Sequence, residues 1–104
     1  MKPIFVYMTT KDKGQAELIG QKLVEERIVA CVNIIDGVQS IYWWQDKVCT
    51  ETETILIAKT RDSLFGKLVL RVKELHSYSV PCIVSLPIEN GNPDYLKWIK
   101  NETI

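Results

Sequence analysis

The apolar positions along the chain change their period several times, and each change marks an element. Pro3 to Met8 is β-branched and aromatic and reads as a first strand. Thr9, Thr10 and Asp12 follow, with side-chain oxygens suited to capping the free N–H groups of a helix. From Ala16 the apolar residues Ile19, Leu23, Val24 and Ile28 recur at helical spacing, with Gln15, Glu17, Gln21, Lys22, Glu25 and Glu26 elsewhere, so an amphipathic helix should pack one face on a sheet. Ala30 to Ile35 and Val38 to Gln45 form one long strand bent at Asp36-Gly37. Gln45-Asp46-Lys47 turns the chain, and Val48 to Thr60 supplies a partner of matching length. Asp62-Ser63 starts a second amphipathic helix carrying Leu64, Phe65, Leu68, Val72 and Leu75 up to His76. Val80 to Pro87 is a strand fenced by prolines, and Pro93 opens a short last helix with Tyr95, Leu96, Trp98 and Ile99.

The order βαββαβα predicts an α+β fold of ferredoxin-like βαββαβ type, with a long hairpin between the second and third strands and an extra C-terminal helix, in one domain over residues 1–104. Strands average about five or six residues, so this hairpin should project beyond the core. Tyr42-Trp43-Trp44 lies near its tip. Alternation sends Tyr42 and Trp44 to one face and Trp43 to the other, which leaves large aromatic surface on both faces. Burial against another copy of the same chain resolves this, and oligomerisation is the expectation.

Charge narrows the partners. Thirteen basic residues balance 13 acidic ones, and a chain of net charge zero lacks the positive excess that a nucleic acid backbone demands. No apolar run has the length of a membrane span or of a secretory leader, so no membrane partner is expected and the expected location is the cytoplasm. Cys31, Cys49 and Cys82 form no C-x-x-C pair, and their number is odd; they read as reduced thiols acting as small buried hydrophobes. Met8 likewise reads as a core residue.

This fold hosts many unrelated activities, and four of them leave marks that can be checked. A metallochaperone needs two thiols after the first strand, where this chain has Met8-Thr9-Thr10-Lys11. An RNA-recognition strand should be aromatic, whereas Glu51-Thr52-Glu53-Thr54-Ile55-Leu56 is acidic. No glycine-bearing arginine loop follows the first strand to cradle phosphate. A thiol nucleophile needs a positioned base, and the chain has one histidine. The expectation is a binding protein and not an enzyme. Glu51 and Glu53 share a strand face with Lys59, which on its own reads as a solvated face. His76 closes the second helix, where the helix dipole favours an imidazolium, and reads as a cap or core group.

Several strings fall together in one order: Ala30-Cys31-Val32-Asn33-Ile34, Ser40-Ile41-Tyr42-Trp43-Trp44, Glu53 with Lys59-Thr60, His76-Ser77-Tyr78 with Val80-Pro81, then Gly91, Tyr95-Leu96 and Trp98. In these the chain resembles the CutA family of divalent-cation tolerance proteins over nearly its whole length. The resemblance implies a homotrimer similar to the PII signalling proteins, with a divalent metal, copper foremost, bound near subunit boundaries as part of metal tolerance. It implies His76, Cys31 and Cys82 as metal ligands, and Tyr42, Trp44, Glu53, Lys59 and Tyr78 as the lining of a small-ligand cleft. Cys82 stands where the family usually carries glutamate, and Met8 where some members carry cysteine; sulfur donors suit Cu(I) better than Cu(II). A second reading is a PII-like signalling module, with a small anionic ligand near Lys59 and an unidentified protein partner.

Overall fold

The computed structural model describes all 104 residues. In chain order the elements are β1 (Pro3–Thr10), α1 (Lys13–Glu25), β2 (Cys31–Trp44), β3 (Lys47–Arg61), a single 3-10 turn (Asp62–Leu64), α2 (Phe65–Leu75), β4 (Ile83–Pro87) and α3 (Pro93–Glu102). The four strands form one antiparallel sheet in the order β2-β3-β1-β4. This is the expected α+β, ferredoxin-like βαββαβ arrangement with a long β2-β3 hairpin and an extra C-terminal helix.

One face of the sheet is covered by α1 and α2. Ile4, Val6 and Met8 of β1 and Leu56 and Ala58 of β3 alternate toward Ile19 and Leu23 of α1 and Leu68 and Val72 of α2, all of them buried. Asp12 caps α1, its carboxylate accepting from the Gln15 N–H at 2.8 Å. Gly20 lets that helix approach the sheet, because a Cβ there would stand 2.9 Å from Cγ2 of Val32. The opposite sheet face carries Phe5, Tyr7, Ile55, Ile57, Val84 and Leu86, and only α3 reaches across one end of it through Tyr95.

Three boundaries differ from the sequence expectation, each for a tertiary reason. β1 runs on through Thr10, because Thr9 and Thr10 pair with Ile55 and Thr54 and do not cap α1. α1 ends at Glu25; Arg27 takes the left-handed conformation (φ 58°), and Ile28 stays buried by folding back in the turn. β4 begins at Ile83, since Pro81 has no N–H for a ladder, and Val80 to Cys82 joins the preceding loop. The cysteines also differ: all three are half-buried, because none faces the helix-covered core.

The β2-β3 arm extends past the helices, and the molecule measures 44 × 25 × 22 Å along its principal axes. Ile41, Trp43, Trp44 and Val48 on that arm are all exposed, Trp43 by 75%.

Candidate functional site

A register irregularity builds the site. Ile35 pairs with Ile55 and Val38 with Glu53, so Asp36 and Gly37 together stand opposite Thr54 alone. Gly37 takes φ +77°, and the Asp36 carboxylate accepts from the Thr54 hydroxyl at 2.8 Å, which secures the bulge. One extra residue reverses the parity of β2. Before it, Cys31, Asn33 and Ile35 share a face with Lys59, Ile57 and Ile55; beyond it, Tyr42 and Trp44 pair with Cys49 and Lys47 and join the face of Glu51 and Glu53.

The loop between α2 and β4 supplies the other wall. His76 fixes it through both ring nitrogens. Its Nε2–H donates to the Thr9 carbonyl at 2.8 Å, and its Nδ1 accepts from the Tyr78 N–H at 3.1 Å. A carbonyl accepts only and a backbone N–H donates only, so these partners select the neutral Nε2–H tautomer. Gln15 Nε2 adds a bond to the Ser77 hydroxyl at 2.8 Å. With the loop held, the Tyr78 hydroxyl donates to Glu53 Oε2 at 2.7 Å.

Between arm and loop lies a cleft of about 590 Å³, lined by Thr9, Tyr42, Trp43, Trp44, Cys49, Glu51, Glu53, Tyr78, Ser79, Val80 and Cys82. No basic side chain lines it. Glu53 is only 7% exposed and makes no ion pair. Its Oε1 has no hydrogen-bond partner in the chain and is not among the sealed polar atoms, so it opens to the cleft. The neighbours of Glu53 keep their protons. Burial and then the Glu53 carboxylate push the Tyr78 phenol well above its usual range. Tyr42 is raised by burial and by Glu51, and Cys82 by burial and by the charge of Glu53. The cleft is therefore acidic and aromatic-walled, with no basic side chain, a setting that favours a cation.

Of the residues singled out in the sequence, Tyr42, Trp44, Glu53, Tyr78 and Cys82 meet in this cleft. His76 stands behind it, its ring 4.7 Å from that of Tyr78, with no nitrogen free for a metal. Lys59 and Cys31 do not join it. Six residues along β3 separate Lys59 from Glu53, about 20 Å at the rise of a strand. Lys59 instead donates to Asn33 Oδ1 at 2.8 Å and lies 5.9 Å from the Tyr95 ring, and Cys31 contacts the Tyr95 hydroxyl at 3.4 Å. The expected trio of His76, Cys31 and Cys82 is thus split between opposite ends of the sheet, and no three His, Cys, Asp or Glu side chains of one chain converge as a metal site. Thr9 and Glu51 enter as cleft residues that sequence reasoning left outside; only the register shows them.

A family model described as CutA1 divalent ion tolerance protein matches residues 4–102. The chain belongs to the CutA1 family. Among CutA relatives, the Divalent-cation tolerance protein CutA of Thermus thermophilus is 48% identical over 98 residues, covering 94% of this chain and 95% of that protein. The chloroplastic Protein CutA 1 of Oryza sativa is 45% identical over 100 residues, covering 96% of this chain but only 56% of that longer protein. The crystal structure of CutA1 from Oryza sativa superposes with a TM-score of 0.97 at 43% identity, covering 100% of this chain and 95% of that one.

Proposed function

We propose that this CutA1 protein works in divalent-cation tolerance as a homotrimer, and that it takes a divalent metal, copper foremost, at the acidic cleft where subunits meet. The observation that carries this reading is Glu53, a buried carboxylate with one oxygen open to a cleft that contains no cationic side chain. Such a group is costly unless a positive charge reaches it. Glu51 and Cys82 line the same cleft but do not converge with Glu53 into a set of three, so this reading requires donors from a neighbouring copy to complete the shell. Metal binding releases the Cys82 proton, because only a thiolate ligates, so affinity rises with pH. His76 acts here as the clamp that positions Tyr78, and the three unpaired thiols suit a reducing cytoplasm.

Trimer formation is supported by apolar surface that one chain leaves open: Ile35, Val84 and Leu86 on the uncovered sheet face, with Trp43, Trp44 and Val48 on the arm. Titration of Cu(II) and Cu(I) into wild type, Glu53→Gln and His76→Ala tests the site. Glu53→Gln is expected to lose binding while His76→Ala keeps the wild-type stoichiometry. Unchanged binding by Glu53→Gln removes the cleft from the reading.

A second reading rests on Lys59, which has no carboxylate partner and sits between Asn33 and Tyr95 at the other end of the sheet. An anionic metabolite seated there would make the protein a PII-like signalling module with a protein partner. A thermal-shift screen of nucleotides and organic anions separates this reading, since a ligand that binds only the folded state raises its melting temperature.

A further inference from the structure

The Glu53 cleft combines features that a bare metal ion does not use. A metal needs several donor atoms in fixed positions, and one chain gathers no set of three. An organic ammonium ion has no such requirement. It is recognised by one desolvated carboxylate and by aromatic faces, whose electron-rich rings attract a cation that sheds its water easily. The cleft supplies both: Glu53 at its floor, 7% exposed, and Tyr42 and Trp44 on its arm wall.

We infer that this cleft is a binding site for small alkylammonium ions, seated with the charged nitrogen at Glu53 Oε1 and the alkyl groups against the aromatic residues of the arm. Three further observations fit that occupant. The volume of about 590 Å³ lies in the range of small-molecule sites. Oε2 of Glu53 is already held by Tyr78, which fixes the carboxylate and leaves Oε1 as the one free acceptor. Glu51 adds a second negative charge at the rim, and no lysine, arginine or histidine lines the cleft to compete. The inference shares its cleft with the metal reading above but does not need it, because it draws on the aromatic wall and on a single carboxylate.

The test uses the full chain freed of metal with a chelator and titrated with tetramethylammonium and with butylammonium at constant ionic strength, followed by tryptophan fluorescence and calorimetry. Neopentane-shaped neutral alcohols serve as uncharged controls. Saturable binding of the ammonium ions without response to the alcohols is expected. Glu53→Gln should weaken that binding about tenfold or more, equivalent to one lost charge-assisted contact. Trp44→Ala should weaken tetramethylammonium more than butylammonium, since the former has no N–H to donate to Glu53 and leans more on ring contact beside the charge attraction; folding of each variant is checked by circular dichroism. Equal response to alcohols and ammonium ions, or wild-type affinity in Glu53→Gln, overturns the inference. Ammonium binding without any Cu(II) binding upholds the inference and rejects the metal reading, whereas Cu(II) binding without ammonium binding does the reverse.

Discussion

Tyr78 donates its phenolic proton to Oε2 of Glu53 across 2.7 Å, joining a loop residue to a strand residue 25 positions earlier and closing the floor of the cleft. The carboxylate is buried, so the bond replaces water that it has lost. Tyr78→Phe removes the donor and leaves that charge uncompensated. The expected cost is about 2 kcal/mol of folding stability in chemical denaturation.

The same pair sets an alkaline limit. Burial and Glu53 hold the Tyr78 phenol above its ordinary value of 10.0, and Tyr42 is raised in the same direction. In the unfolded chain both phenols ionise near that ordinary value, while in the folded chain they stay protonated to higher pH. Stability contributed by these groups is therefore complete below pH 10.0 and declines as pH rises above it. Denaturation midpoints measured along an alkaline series should fall, and the fall should be shallower in Tyr78→Phe. An equal slope in both proteins would remove Tyr78 as its source.

Gly37 carries the bulge that puts Tyr42 and Trp44 on the side of Glu53. Its φ of +77° is a conformation that a Cβ disfavours by about 1–2 kcal/mol, although no neighbour lies within 4 Å to clash with one. Gly37→Ala is expected to lower stability by about that amount while leaving core packing intact. Its larger effect should fall on cleft binding, because relief of the strain by loss of the bulge would return the arm aromatics to the other face. Amide exchange along residues 36–44 and 48–54 reports whether the register has slipped.

The sequence shows the element types clearly because they rest on local pattern: alternation in Ile4, Val6 and Met8, helical spacing in Ala16, Ile19 and Leu23, prolines at Pro81, Pro87 and Pro93. Boundaries depend on distant partners and are less legible. Nothing local tells Thr9 and Thr10 that Ile55 and Thr54 will complete their ladder. The cleft is legible in its members and not in its grouping. Parity along β3 unites Glu53 with Lys59, but the rise of the strand carries Lys59 out of reach, and Asn33 and Tyr95 claim it. His76 reads in the sequence as a cap or core group at a helix end; the partner that fixes its ring is the Thr9 carbonyl 67 residues away, which no local pattern announces. The thiols read as core groups because cysteine is so often buried, yet Cys31 falls on the sheet face that the helices leave open.

Arg71 and Glu26 tie α2 to the end of α1. The guanidinium donates from Nε and Nη2 to the two carboxylate oxygens at 2.8 to 3.2 Å, a fork-to-fork geometry that charge alone would not select. Hydrogen bonding from Arg71 holds the Glu26 carboxyl below its ordinary value of 4.5. A depressed carboxyl contributes stability above the unfolded value, and that contribution is lost as pH falls through the lower folded value. Arg71→Met should thus be less stable than wild type at neutral pH, with the gap narrowing in acid. Since both side chains are partly exposed, the gap should also shrink in high salt.

The uncovered sheet face yields the sharpest test of assembly. Leu86, Phe5 and Lys59 form one row across it, and Val84, Tyr7 and Ile57 the next, so two rows of mainly apolar side chains face outward with no helix of the same chain laid over most of them. Val84 is 53% exposed and Leu86 61% exposed in the isolated chain. Replacing both with lysine therefore costs the lone chain little, since surface substitutions away from the core usually change stability by about half a kilocalorie per mole or less. In an assembly built on this face the same lysines would enter an apolar contact as unpaired charges, which is strongly unfavourable. The double variant Val84→Lys, Leu86→Lys is expected to run as a folded 12.0 kDa monomer, and wild type at three times that mass. A double variant that keeps the wild-type mass would show that the subunits meet through the arm alone, and a monomeric wild type would leave the cleft to be completed within one chain.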